Sequence, residues 1–383
     1  MKIVRFCMIG MMVLVAGCVA DEGETAVKVS RPIALTSYTF QPMTRADSAL
    51  LADHTIPTGK SIGVYAYYHD NATWSNDAAP NFMCNQQATN ISNEQPFSYA
   101  PLKYWPNENE DKVSFIAYYP YTSNSAADVS ALGITALLDN TGTGLPSFQF
   151  AVKDNVKQQV DFMVSDLLPN LPNGTTAIQP GAPDGRDELT ITDRVRFVFR
   201  HALAKIEFRV IVDEAARQDL AYYTLHSIQL TNIYTKAKLT PTYTPPVAPA
   251  TEGETTFAWS DFDSPANYNC KTTEAYLLLP QALGDNAQLT INYDLAFKSE
   301  GTTYTYDSSG NPVPTEEYAY TSRTTTYQLN TLKLTGTTTP IDEWQPNHHY
   351  IYNLIIKPHR IEFTGQVIEW GQEVPFVVSP EAS

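Results

Sequence analysis

What most restricts the fold of this chain is a period-two alternation that recurs along its length, with no helical period sustained over a long window. Leu289, Ile291, Tyr293, Leu295 and Phe297 are apolar, and the residues between them are mostly polar. Successive side chains of a strand point to opposite faces, so this pattern describes a half-buried antiparallel strand. Similar runs begin at Ile62, Val113, Tyr350 and Ile361. Each must bury its apolar face against another element, and packed antiparallel sheets do so economically. The expectation is an all-β protein. The 26 prolines against 18 glycines, the 23 tyrosines and the 17% charged residues agree with strands and turns rather than helices.

A length of 383 residues suits two domains, each with its own core. The stretch from Pro172 to Gly185 is rich in turn residues and has no apolar period, so a boundary is expected near residue 188. That divides the chain into domains at 46–188 and 189–383. A second proline-rich stretch, Pro241 to Pro249, reads as a long loop, and short helical patches are expected at 129–138 and 213–220. Val195, Phe197 and Phe199 share one parity, whereas Ile206, Phe208, Val210 and Val212 share the other. A bulge or strand break is therefore expected near Arg200–Ala202.

The N-terminus reads as a signal peptide over residues 1–17. Lys2 and Arg5 precede an apolar run from Phe6 to Ala16 that is too short to span a bilayer as a permanent helix. Its end, Leu14-Val15-Ala16-Gly17-Cys18, resembles a bacterial lipobox. Cleavage is expected between Gly17 and Cys18, with Cys18 acylated on sulfur and anchoring the protein to the outer membrane. Asp21, Glu22 and Glu24 follow, consistent with surface export or a solvated tether.

The net charge is −16, and loss of Lys2 and Arg5 with the signal leaves 23 basic against 41 acidic residues, or −18. Such a chain lacks the clustered Lys and Arg that displace counterions from nucleic acid, so no nucleic-acid partner is expected. Cys7 and Cys18 lie in the leader, and Cys84 and Cys270 are far apart, so neither a disulfide framework nor a paired-cysteine metal site is indicated. The seven histidines show no metal-ligand spacing, and the sequence contains no nucleophile elbow and no phosphate loop. His348 and His349, adjacent on a strand, point to opposite faces. No catalytic residue, metal or cofactor is expected. Asp261 and Asp263 lack the oxygen spacing of a calcium loop. Tyr67, Tyr68, Tyr104, Trp105, Tyr118, Tyr119 and Tyr121 leave two readings open: a platform for sugar rings, or core and cross-strand pairs.

Several stretches, taken in order, resemble the fimbrillin family of Bacteroides-type lipoprotein-derived pilins. They are Thr44-Arg45-Ala46; Lys103-Tyr104-Trp105-Pro106 with Val113 to Pro120; Asp161-Phe162-Met163-Val164; Phe199 to Phe208; Leu279-Pro280-Gln281; and Trp344 to Tyr350 leading to Ile361 and Val367 to Trp370. The resemblance implies two tandem transthyretin-like antiparallel β-sandwich domains, lipoprotein export, and assembly into a surface fimbria. It also implies partners: other fimbrial subunits that donate a β-strand, with a host or bacterial surface receptor left open. In pilin members an arginine-specific protease removes the first strand, and a strand of another subunit fills the groove.

Residues 18–45 would then be a tether and a removable first strand over about 33–40. Arg45 is the one unblocked arginine between Cys18 and Arg186, because Arg31 precedes Pro32. Arg45–Ala46 is thus the expected activation bond. The short remainder after Trp370 leaves a tip or accessory role open beside a stalk role. The alternative from a different class is a lipid-anchored glycan-binding protein for nutrient uptake, with Arg45 an ordinary linker residue.

Overall fold

The alternating runs become strands where they were expected. The computed structural model describes residues 31–39, 56–93, 95–108, 110–172, 194–217, 220–247, 253–335, 338–357 and 360–370. They form 21 strands, numbered β1 to β21 in chain order, and two short helices, α1 (Ala126–Leu132) and α2 (Glu214–Arg217). The protein is all-β.

A seven-stranded first sheet runs in the order β1 (Ala34–Thr39), β9 (Arg194–His201), β7 (Met163–Ser165), β4 (Lys112–Tyr119), β2 (Ser61–His69) and β3 (Met83–Thr89), with β8 (Leu168–Pro172) also paired to β4. Both of its faces are covered. Ile62, Val64 and Ala66 of β2 join Phe115 of β4 and Phe197 of β9 in one apolar core. Tyr65, Tyr67, Ile116 and Tyr118, of opposite parity, enter a second and larger core. Burial on both faces explains why β2 and β4 read as almost continuous apolar runs. Gly63 in β2 has a packing reason, since a Cβ there would overlap the Tyr118 ring.

The larger core is closed first by a bridging sheet, β13 (Glu254–Ser260), β12 (Lys236–Thr244), β6 (Phe148–Ala151) and β5 (Ile134–Ala136). Phe148 of β6 packs on Tyr118 with ring centroids 4.7 Å apart. Beyond it lie two four-stranded sheets. One is β15 (Ala275–Leu278), β10 (Ala204–Val212), β20 (His348–Lys357) and β21 (Arg360–Glu369). The other is β14 (Ala266–Cys270), β11 (Leu220–Ile233), β17 (Gln288–Tyr306) and β18 (Pro312–Gln328). Tyr268 against Tyr276 and Tyr327 against Phe363 join these two sheets. A two-stranded pair, β16 (Gln281–Ala282) with β19 (Glu343–Trp344), completes the set.

Several expectations change here. Most ladders are antiparallel, but β1 with β9 and β10 with β20 are parallel. Parallel neighbours need long connections, and both pairs have them. Sheet membership does not follow the expected division at 188/189. β9 lies beyond that point yet belongs to the first sheet, while β6 from the first half pairs with β12 from the second. The parity switch in Val195–Val212 is the passage itself: β9 ends at His201, and β10, starting at Ala204, lies in another sheet. The proline-rich loop is shorter than expected, because Pro241 pairs with Phe257 inside the β12–β13 hairpin. β6 reaches only Leu239, so Pro241 sits where β12 has become an edge. The patch at 129–138 is helical only as far as Leu132. Gly133, at φ 73°, caps α1 and releases the chain into β5.

Three stretches that carry the family resemblance meet at this passage. Nδ1 of His201 lies 2.8 Å from Asp161, and the His201 ring stacks on Trp370 at 4.3 Å. The Trp370 amide donates to the Asn347 carbonyl, and the Asn347 amide donates to the Leu203 carbonyl.

Candidate functional site

The first strand and the seat that holds it form the candidate site. β1 is the end strand of the first sheet, in parallel register with β9 from Ala34↔Arg194 to Thr39↔Phe199. Its other side is not bare. The Ile33 amide donates to the Lys103 carbonyl at 2.9 Å, the Phe97 amide to the Leu35 carbonyl at 2.8 Å, and the Trp105 amide to the Arg31 carbonyl at 2.9 Å. β1 is therefore threaded between a true strand and an irregular wall at residues 97–105.

Its side chains explain why it stays there. Ile33 and Leu35 are buried, at 1% and 0% exposure, in the core that holds Phe97, Trp105, Val195 and Phe197. Burying aliphatic side chains of this size contributes roughly 1.5–3 kcal/mol each. Tyr38, of the opposite parity, is also buried, with the Arg196 guanidinium 4.8 Å from its ring centre. The mixed parity along residues 33–38 thus reflects a strand buried on both faces. Polar groups fix the register as well. The Tyr99 hydroxyl donates to the Ile33 carbonyl at 2.7 Å, the Thr36 hydroxyl to the Val195 carbonyl at 3.3 Å, and the Ile56 amide to Ser37 Oγ at 3.2 Å. Burial pushes the Tyr99 phenol up to about 12, so it remains a donor at neutral pH. A small cavity, of about 40 Å³, lies beside β1 among Thr36, Asn90, Gln95 and Arg194. The seat is filled.

Gly17, Cys18, Arg45 and Ala46 lie outside the described residues. What the structure does locate is the end of β1 at Thr39 and the return of the chain into the same core at Ile56, which bracket Arg45. Sequence reasoning found the strand but missed both of its neighbours. β9 pairs across more than 150 residues, and the 97–105 wall has no alternation to betray it. The only signal there was aromatic: Phe97, Tyr99 and Trp105 in a stretch without strand period.

The other candidates dissolve into structure. Tyr67, Trp105, Tyr118 and Tyr119 are core side chains, leaving Tyr104, at 46% exposure, with the half-buried Tyr68 and Tyr121. A sugar platform built on all seven aromatics is therefore absent. Buried His349 lies against Glu207, and His348 contacts the Pro346 carbonyl. Asp263 pairs with Lys236 at 3.8 Å. Cys84 and Cys270 are free thiols, and burial raises both above their ordinary value. Among the described residues, no group of three His, Cys, Asp or Glu side chains is placed to hold a metal ion, and no helix is long and apolar enough to cross a membrane.

No curated protein matches the chain. Among solved structures, a fimbrial protein from Bacteroides vulgatus is similar over 89% of this chain and 99% of its own, with 21% identity and a TM-score of 0.55, which shows a shared fold. The tip fimbrial protein Mfa3 and a fimbrilin, both from Porphyromonas gingivalis, are more distant. They have 13% and 12% identity over 89% and 90% of this chain, 99% and 98% of their own, and TM-scores of 0.36 each. A family model described as fimbrillin-like matches residues 44–370. That span takes in both walls of the β1 seat and ends on the Trp370 that stacks on His201, and the chain belongs to the fimbrillin-like family.

Proposed function

We propose that this protein is a structural or adhesive subunit of a cell-surface fimbria, assembled by exchange of its first strand. It is exported as a lipoprotein, cut between Gly17 and Cys18, and held at the outer membrane by acylated Cys18. Cleavage at Arg45–Ala46 then detaches the anchor and β1 together. The vacated seat between β9 and the 97–105 wall presents unpaired backbone groups and an apolar groove, which a strand from another subunit fills. Until that cut the subunit's own strand keeps the groove closed and prevents early polymerisation.

One observation carries this reading. β1 is fully integrated in the core, yet no hairpin ties it to either neighbour, so it can leave without unravelling a turn. The bond proposed for cleavage follows shortly after its end. No residue outside this seat is required to perform chemistry, in keeping with a family of fimbrial rather than enzymatic proteins.

The test is limited digestion of the periplasmic form with an arginine-specific protease, followed by N-terminal sequencing and electrophoresis without full denaturation. A new end at Ala46 with a ladder of resistant oligomers is expected. Cleavage there without self-laddering would mark a tip or accessory subunit that accepts a different strand. Resistance at Arg45, together with saturable polysaccharide binding that is lost on replacing Tyr104 and Tyr121, would overturn the proposal in favour of glycan capture.

A further inference from the structure

A second strand edge, in a different sheet from β1, has no partner among the described residues. β18 is the terminal strand of its sheet and pairs with β17 from Gln288↔Gln328 to Tyr306↔Pro312. Among the described residues, no strand pairs with its outer side. β11 covers β17 only as far as Phe297, so from there outward β17 and β18 continue as a two-stranded ribbon. The ribbon ends in a turn with Gly310 at φ 79° and Tyr306 at 72% exposure. A lone ribbon is marginal in water, and a long free edge is a template for another strand.

The prolines show which backbone groups face outward. Pro312 and Pro314 pair with Tyr306 and Tyr304, and a proline in a ladder turns its nitrogen away from its partner. Alternation along β18 then directs outward the N–H groups of positions 316, 318, 320, 322, 324 and 326. By sequence, residues 312–317 hold two prolines and two glutamates, whereas residues 318–328 contain no proline and a single charge, Arg323. Proline and charge are the usual guards of an edge, so this stretch is left open.

Arg323 indicates the occupant. It is exposed, and no carboxylate lies within ion-pair distance of it among the described residues, in a chain whose net charge is −16. Antiparallel pairing of two β18 edges about a two-fold axis at Tyr320 sets Arg323 of each copy at the register position of Glu317 in the other. It also brings 316, 318, 320, 322 and 324, all with outward N–H groups, into the new ladder. The pairing ends where Pro314 removes a donor. A two-fold contact of this kind uses the same patch on both molecules, as a symmetric dimer requires.

We infer that the outer edge of β18 is a strand-addition surface for a second copy of this chain, giving a lateral, two-fold contact independent of the β1 groove. The test is sedimentation equilibrium of the uncut chain carrying Arg45→Ala, so that exchange of β1 contributes nothing. A monomer–dimer equilibrium is expected, abolished by Ser322→Pro, which removes a central outward donor. Arg323→Glu should weaken the dimer roughly tenfold, since the register then sets like charges opposite each other at two positions. Arg323→Glu combined with Glu317→Arg should restore it, a result that unfolding of any single variant cannot mimic. A monomer at every concentration, or a dimer indifferent to both Ser322→Pro and Arg323→Glu, would overturn the inference.

Discussion

Leu35 has no exposed surface and lies near the start of the strand proposed to leave. Its replacement by alanine removes buried methyl groups from a closed seat and should destabilise the uncut chain by about 2–5 kcal/mol in a urea titration. A loss well under 1 kcal/mol would mean that β1 is not integral to the core. A second residue-scale consequence concerns acid. Burial raises the Glu207 carboxyl, but His349 and Arg209, whose Nε donates at 2.6 Å, bring it down to about 2. Burial also lowers His349, against the pull of Glu207 at 2.9 Å. Arg209 holds Glu207 ionised whether or not His349 carries a proton, so the two shifts coexist. Folded Glu207 binds its proton more weakly than the unfolded chain does. Its contribution is therefore complete above its ordinary 4.5 and is lost as the pH falls toward 2. His349 is also below its ordinary 6.5 when folded, so the unfolded chain takes up that proton first. Stability should fall on acidification from about 6.5. Glu207→Gln should flatten the decline below 4.5 in melts run across pH, and parallel profiles for the two proteins would contradict this assignment.

At the scale of the element, the segment 31–39 is held by the parallel ladder of β1, by three backbone hydrogen bonds to the 97–105 wall, and by Ile33, Leu35 and Tyr38. A chain lacking residues 1–45 should melt at a clearly lower temperature, and a synthetic peptide of residues 31–40 should restore much of the loss in a dose-dependent way. A peptide with Leu35→Asp should not. Rescue by both would show that the seat does not read side chains. This strand was legible in the sequence because Ile33, Leu35, Tyr38 and Phe40 are apolar in an otherwise polar stretch. Its imperfect alternation became intelligible only with two covered faces. α1 gives the converse case. Ser125 accepts from the Asp128 amide at its start and Gly133 ends it, so the sequence carries the caps, but the passage into β5 depends on pairing with β6.

Across the whole molecule, the bridging sheet and the larger core tie the halves together. That core runs from Tyr65 in the first sheet to Trp370, and Trp259 of β13 donates to the Ala202 carbonyl at the passage between sheets. Calorimetry should therefore record one main transition for the uncut protein, whereas two well-separated transitions would indicate independent domains. Trp370→Ala, by removing the partner of His201, should cost about 3–5 kcal/mol and separate the melting of the first sheet from the rest. The sequence by itself determined the class of structure, the principal strands and the candidate cleavage bond. Alternation, turn residues and the scarcity of arginine are local properties, readable without knowing what packs where. The tertiary structure alone decided which strands are neighbours: β1 beside β9, β6 beside β12, and β18 at the end of its sheet with β17 as its one partner among the described residues. Ladder hydrogen bonds join backbones that are nearly identical at every residue, so which partner a strand takes depends on the shape of the assembled core.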